Sequence, residues 1–276
     1  MRVPLALALS AWLLSSPLFA GERLNERLVV CADPDNMPFS NRAGEGFENK
    51  LAQLLAHDLH AQLEYYWWPQ LRGFVRKTLN DDKCDLWPGV ATQLDSLLTT
   101  APYYESTYVF VTRADRGLAH LTLDDPRLRT LSIGVQMIGN DATNTPPAHA
   151  LARRGLVDNI HGYMVYARDD RAGPPILGAV AGKQIDLALV WGPTAGYFAH
   201  RSSVPLRIEP VVPSVDGGQW PMVYSISVGV RRDDAALRDK VETVLAQEKP
   251  RIDSLLRSYD VPLSPVGANP ISKPAP

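Results

Sequence analysis

Apolar positions in this chain change their spacing in a regular alternation. Short apolar runs, the pattern of buried strands, are separated by stretches where apolar residues recur every third or fourth position, the pattern of amphipathic helices. The first unit is the most explicit. Leu28 to Cys31 reads as a strand, and the turn formers Asp33, Pro34, Asp35, Asn36, Pro38 and Ser40 follow it. Phe47, Leu51, Leu54, Leu55 and Leu59 then fall on one helical face. Leu63 to Trp68 predicts a second strand ended by Pro69, Phe74, Val75 and Leu79 a second helix, and Cys84 to Val90 a third strand unit. The β-branched and aromatic run Tyr108 to Thr112 carries the chain out of this first unit.

A second, similar series follows. Leu131 to Gln136, Tyr163 to Tyr166 and Asp186 to Val190 predict strands, with helices over Ala148 to Arg154 and Ile176 to Gly182 between them. Leu206 to Val212 is extended, Tyr224 to Val230 alternates like a strand returning to the first sheet, and helices over about 235–246 and 251–258 close the chain. Strands alternating with helices predict an α/β protein. Two series joined by two crossings predict two lobes, residues 21–112 with 209–262 and residues 113–208, with a cleft where strand-end loops converge. Residues 263–276, rich in Pro, Ser, Gly and Asn, predict a disordered tail.

The ends and the charge place the protein. Met1 and Arg2 precede an apolar stretch from Val3 to Leu14, and Ala20 marks the cleavage point of a secretory signal peptide over 1–20. No later run is long enough to span a bilayer. With 28 basic and 30 acidic residues scattered along the chain, there is no footprint for nucleic acid or membrane insertion. Cys31 and Cys84 are the only cysteines, and an even pair in an exported chain favours a disulfide over two buried thiols. If their strands are neighbours, one bridge stabilises the fold by about 4 kcal/mol.

Catalytic signals are weak. His57 and His60 have no accompanying metal-ligand spacing, and the Asp33, Asp35, Asn36 group lacks the glycine and terminal glutamate of a calcium loop. The glycines of Gly44-Glu45-Gly46 read as the start of a helix, with anion binding as the alternative. Glu45, Glu48, Asp95 and Glu105 form no evident acid/base pair, and there is no nucleophile elbow. No cofactor and no catalytic residue are therefore assigned. The aromatic residues carry more information. Phe39, Trp68, Trp87, Tyr103, Tyr104 and Trp191 lie at or near apparent strand ends, where they would rim the cleft and stack on a planar ligand or anchor a partner chain.

The Pro38-Phe39 loop, the Gly46-Phe47-Glu48 helix start, the segment Thr99 to Tyr104 and the strand Ile185 to Val190 resemble the extracellular solute-binding proteins of family 3. A narrower resemblance covers about 29–261: CADPDNMPFSNRAGEGFENKLA, YYWWPQLRGFVRKTLN, LLTTAPYYESTYVFVTR and DLALVWGPTAGYFA are similar to the solute-binding-like proteins associated with quinoprotein alcohol dehydrogenases, the MoxJ and XoxJ type. The resemblance implies the two-lobed type II periplasmic binding protein fold, two mixed sheets flanked by helices with a central cleft and two hinge crossings. It also implies a non-catalytic periplasmic role toward a pyrroloquinoline quinone (PQQ)-dependent alcohol or methanol dehydrogenase as partner. Amino-acid receptors of the wider family clamp the ligand carboxylate with an arginine where this chain has Gln93, and bind the ammonium with an aspartate where it has Trp191. Losing both charges removes the charge-assisted contacts of zwitterion recognition. The alternatives are a receptor delivering a non-zwitterionic solute to an ABC importer, and a lyase on the same fold, which needs a carboxylate poised in the cleft.

Overall fold

The structure is a computed structural model describing residues 26–92, 94–138, 144–165 and 173–264. The expected signal peptide, Gln93 and the tail from 265 onward lie outside these residues. The described residues begin with β1 (Glu26–Ala32), α1 (Phe47–Asp58), β2 (Ala61–Trp67), the short α2 (Phe74–Lys77), β3 (Leu86–Ala91) and the long β4 (Tyr104–Arg113). The second series is β5 (Ile133–Met137), α3 (Pro146–Arg153), β6 (Ile160–Met164), α4 (Pro175–Ala181), β7 (Leu187–Trp191), α5 (Gly192–His200) and β8 (Leu206–Pro210). β9 (Val223–Val230), α6 (Ala235–Gln247) and α7 (Lys249–Ser258) complete the fold.

Two mixed sheets share one strand, in the order β2-β1-β3-β9-β4-β7-β5-β6. β2 and β3 flank β1 in parallel, and β9 runs antiparallel between β3 and β4. The division falls within β4. Tyr104 to Thr107 pair with β9 in the first sheet, whereas Tyr108 to Thr112 pair with β7, and Val109 to Arg113 with β8, in the second. β7, β5 and β6 are parallel to one another.

Packing follows the periodicities. Phe47, Leu51 and Leu55 on α1 are buried against Leu28, Val30, Leu86 and Val228 of the first sheet and Ile252 and Leu256 of α7. Each such side chain contributes about 1.5–3 kcal/mol on burial. In the second sheet, successive residues of β4 face opposite sides, as strand geometry requires. Phe110 packs with Leu128, Ile133 and Leu151, while Val109 and Val111 pack with Ile176, Val180 and Val190. Cys31 of β1 and Cys84, just ahead of neighbouring β3, form the expected disulfide, with Cα atoms 5.5 Å apart and a sequence separation of 53.

The structure adds a helix that the periodicity did not predict. α5 starts directly at the end of β7, with Pro193 in its first turn, where a missing N–H costs nothing. Leu263 and Ser264, assigned from sequence to the tail, are held against β4 by a bridge to Ser106 and by the Ser264 N–H donating to the Glu105 carbonyl at 3.0 Å. No described helix is long and apolar enough to cross a membrane.

Candidate functional site

β1, β2 and β3 are parallel, so their carboxyl ends emerge together, the place where open α/β sheets bind ligands. The aromatic residues expected at this rim separate into three settings.

Trp87, Tyr103 and Tyr104 gather around the carboxyl of Glu48. Glu48 lies in the first turn of α1 and is only 4% exposed. A Cβ placed on Gly89 of β3 would stand 2.7 Å from Glu48 Oε1 and 3.2 Å from the Trp87 indole nitrogen, so the bare glycine lets the acid approach the strand. Glu48 Oε2 and Trp87 Nε1 are both buried with no protein hydrogen-bond partner. Burial, reinforced by the Asp33 charge, pushes the Glu48 carboxyl up to about 8, so it is neutral at pH 7. Burial also holds the Tyr103 and Tyr104 phenols well above their usual range, with Glu48 adding to both. Tyr103 donates its hydroxyl to the Pro88 carbonyl at 3.0 Å. At 2% and 3% exposure, these two rings form the floor of the site and present no stacking face in this arrangement.

Phe39 and Trp68 stand apart from that nest. Phe39 packs on Phe47 at 5.3 Å, and Phe47 in turn meets Tyr104 and Tyr259 edge-on at 6.0 and 5.9 Å. Trp68 lies parallel to Tyr66, with the Lys77 ammonium 5.4 Å from its ring centroid. Trp191 belongs to the junction of the sheets. It meets Tyr108 of β4 at 5.2 Å and Tyr224 of β9 at 5.9 Å, and its backbone N–H donates to the Gln136 side chain at 2.7 Å. Burial raises Tyr224 to about 12.

Sequence reading passed over Glu48 because the helix start Gly46-Phe47-Glu48 looks like ordinary first-turn chemistry. The available signal was Gly89, whose function as a gap is visible only once α1 and β3 are adjacent. A neutral carboxylic acid beside an indole N–H offers hydrogen bonds without net charge. Glu48 is 4% exposed, and its burial and the Asp33 charge are what raise it. A separate groove of about 510 Å³ opens where the β1–α1 loop faces α4 and α5, lined by Met37, Asn41, Glu45, Leu177, Tyr197 and Arg201 among others.

Two mixed sheets sharing a hinge strand, with strand-end loops around a cleft, define a type II periplasmic binding protein fold. The relatives narrow this. Protein MoxJ of Paracoccus denitrificans is 32% identical over 272 residues, spanning 93% of this chain and 95% of that protein. The periplasmic binding protein XoxJ from Methylobacterium extorquens AM1 is 40% identical with a TM-score of 0.70, covering 86% of this chain and 99% of its own. MxaJ from Methlophaga aminisulfidivorans MPT is 29% identical with a TM-score of 0.71, covering 86% and 100%. No protein-family model matches the chain. The chain belongs to the MoxJ family.

Proposed function

We propose that this protein is a non-catalytic periplasmic accessory protein that binds a PQQ-dependent alcohol (methanol) dehydrogenase and assists its maturation, cofactor loading or activation. Membership of the MoxJ family over nearly the whole chain carries this reading. The site chemistry supports it. Trp191 stands where amino-acid receptors hold an aspartate, and its ring is engaged with Tyr108 and Tyr224. The carboxyl of Glu48 is raised to about 8, is neutral at pH 7 and supplies no counter-charge for an ammonium group. A polypeptide segment of the immature enzyme, or a small planar molecule, fits such an uncharged aromatic setting better than a zwitterion does.

Affinity capture of the tagged mature protein from a periplasmic extract of its native cells, followed by mass spectrometry, tests the reading. Co-elution of a quinoprotein dehydrogenase subunit is the expected result. Recovery of a small solute or an importer permease alone would overturn it in favour of a solute receptor. The cleft as working surface is tested by combining Trp87→Ala with Trp191→Ala and measuring the yield of active dehydrogenase. An unchanged yield from a folded variant would exclude it.

A further inference from the structure

α5 of the second sheet touches residues 260–262 through glycines spaced four apart. A Cβ on Gly196 would stand 1.9 Å from the carbonyl oxygen of Asp260, and one on Gly192 would stand 2.5 Å from the Thr107 carbonyl and 3.5 Å from the Pro262 ring. Here the bare glycine face lets a second backbone lie directly on the helix. Tyr197, the next residue, stacks on Tyr259 with centroids 5.8 Å apart and planes 19° from parallel. Arg201 lies over the Tyr197 ring at 3.7 Å and pairs with Asp260 at 3.2 Å, while His200 approaches the same carboxylate at 3.7 Å.

The segment on the other side is anchored entirely in the first lobe. Val261 and Leu256 are part of its core. Tyr259 meets Phe47 and hydrogen-bonds the Glu45 carbonyl through its hydroxyl. α7 ends in a Schellman turn, with Asp260 N–H donating to the Arg257 carbonyl and Val261 N–H to the Leu256 carbonyl. The residue in the left-handed position of that turn is Asp260, at φ 56°, where glycine is usual. A glycine there would relax the backbone, but only a side chain can reach Arg201. Pro262 then accepts a hydrogen bond from Ser106 Oγ at 2.6 Å, and Leu263 bridges Ser106, fixing the segment along the hinge strand β4.

We infer that residues 259–264 are a strap that clamps α5 to the first lobe and holds the two lobes in a single relative orientation. A receptor that traps a solute works by hinge rotation. Here the contacts that such a rotation must break are the approach of the Asp260 backbone to Gly196, the Tyr197–Tyr259 stack and the Arg201–Asp260 ion pair, all beside the hinge. The strap also shares Tyr197, Arg201 and Glu45 with the groove beside α4, so it sets the width of that groove. The inference stands independently of the dehydrogenase reading, because it concerns lobe motion and no partner.

Spin labels at His57→Cys on α1 and Val157→Cys beyond α3, both exposed, report the inter-lobe distance by pulsed electron resonance. The native cysteines are paired and take no label. One narrow distance peak is expected from the full chain. Tyr259→Ala combined with Asp260→Gly removes the stack and the ion pair while easing the turn, and should add a second, displaced peak with the cooperative melt retained. A broad or multiple distribution in the full chain, or a single unshifted peak in the unclamped variant, overturns the clamp. Should that variant not fold, Arg201→Ala, outside the strap, takes its place under the same two criteria.

Discussion

Gly196 of α5 and Asp260 beyond α7 approach so closely that a methyl group on the glycine would overlap the aspartate carbonyl, at 1.9 Å. Helix propensity favours alanine over glycine by up to about 1 kcal/mol, whereas forcing an atom into a packed backbone contact costs about 1–3 kcal/mol. The contact is with main chain and cannot swing aside, so the steric cost wins. Gly196→Ala should lower stability by about 1 kcal/mol or more in urea titration. Gly178 of α4 is the control, because a Cβ there meets nothing within 4 Å. Gly178→Ala should raise stability by about 0.5–1 kcal/mol. Equal effects at the two positions would contradict the packing described.

The Cys31–Cys84 bridge spans 53 residues between neighbouring strands. Cross-linking a loop of that length removes unfolded-state entropy worth about 4 kcal/mol. Paired Cys31→Ala and Cys84→Ala substitutions should therefore lower the unfolding free energy by about 2–4 kcal/mol, the range usual for native bridges. Mass analysis after alkylation without reductant should find no free thiol in the native protein.

Glu48 gives stability a pH dependence of known sign. Its folded-state pKa is raised from 4.5 to about 8, so the folded protein holds a proton that the unfolded chain releases. That contribution is present in full below about pH 4.5 and is lost progressively as pH rises through about 8. Glu48→Gln keeps the shape, removes the titration and should flatten the slope of unfolding free energy against pH over this window. An unchanged slope would show that the carboxyl is ionised in the folded protein.

Trp191 fills the junction between Tyr108 and Tyr224. Trp191→Ala should cost about 3 kcal/mol, near the lower end for buried aromatic truncations, because the ring is only partly buried. Trp191→Phe should restore most of it. Denaturant titration of both variants decides the point, and a loss below about 1 kcal/mol would remove the ring from the hinge packing.

Much of the fold was legible along the chain. The strand of Leu28 to Cys31, the helical face of Phe47, Leu51 and Leu55, and the alternation of Tyr224 to Val230 each appear where their spacing places them, because burial on one face imposes a local period. The disulfide was legible too, since two strand-borne cysteines of an exported chain had no other partner. α5 was not. Gly192, Pro193 and Gly196 give no helical period, and the two glycines stand where the Thr107 and Asp260 backbones leave no room for a Cβ.

The site divides in the same way. Aromatic type and strand-end position are sequence properties, and they are what singled out Trp87, Tyr103, Tyr104 and Trp191. Which of those rings cover a buried acid, and which brace a hinge, depends on contacts between residues far apart in the chain, such as Glu48 with Gly89 and Tyr108 with Trp191. The sequence by itself determined the α/β order of elements and the bridge, because these follow from local periodicity and residue chemistry. The tertiary structure alone decided the neutral state of Glu48, the helix at Gly192–His200 and the strap across it, because burial and backbone approach are set by neighbours that no local pattern records.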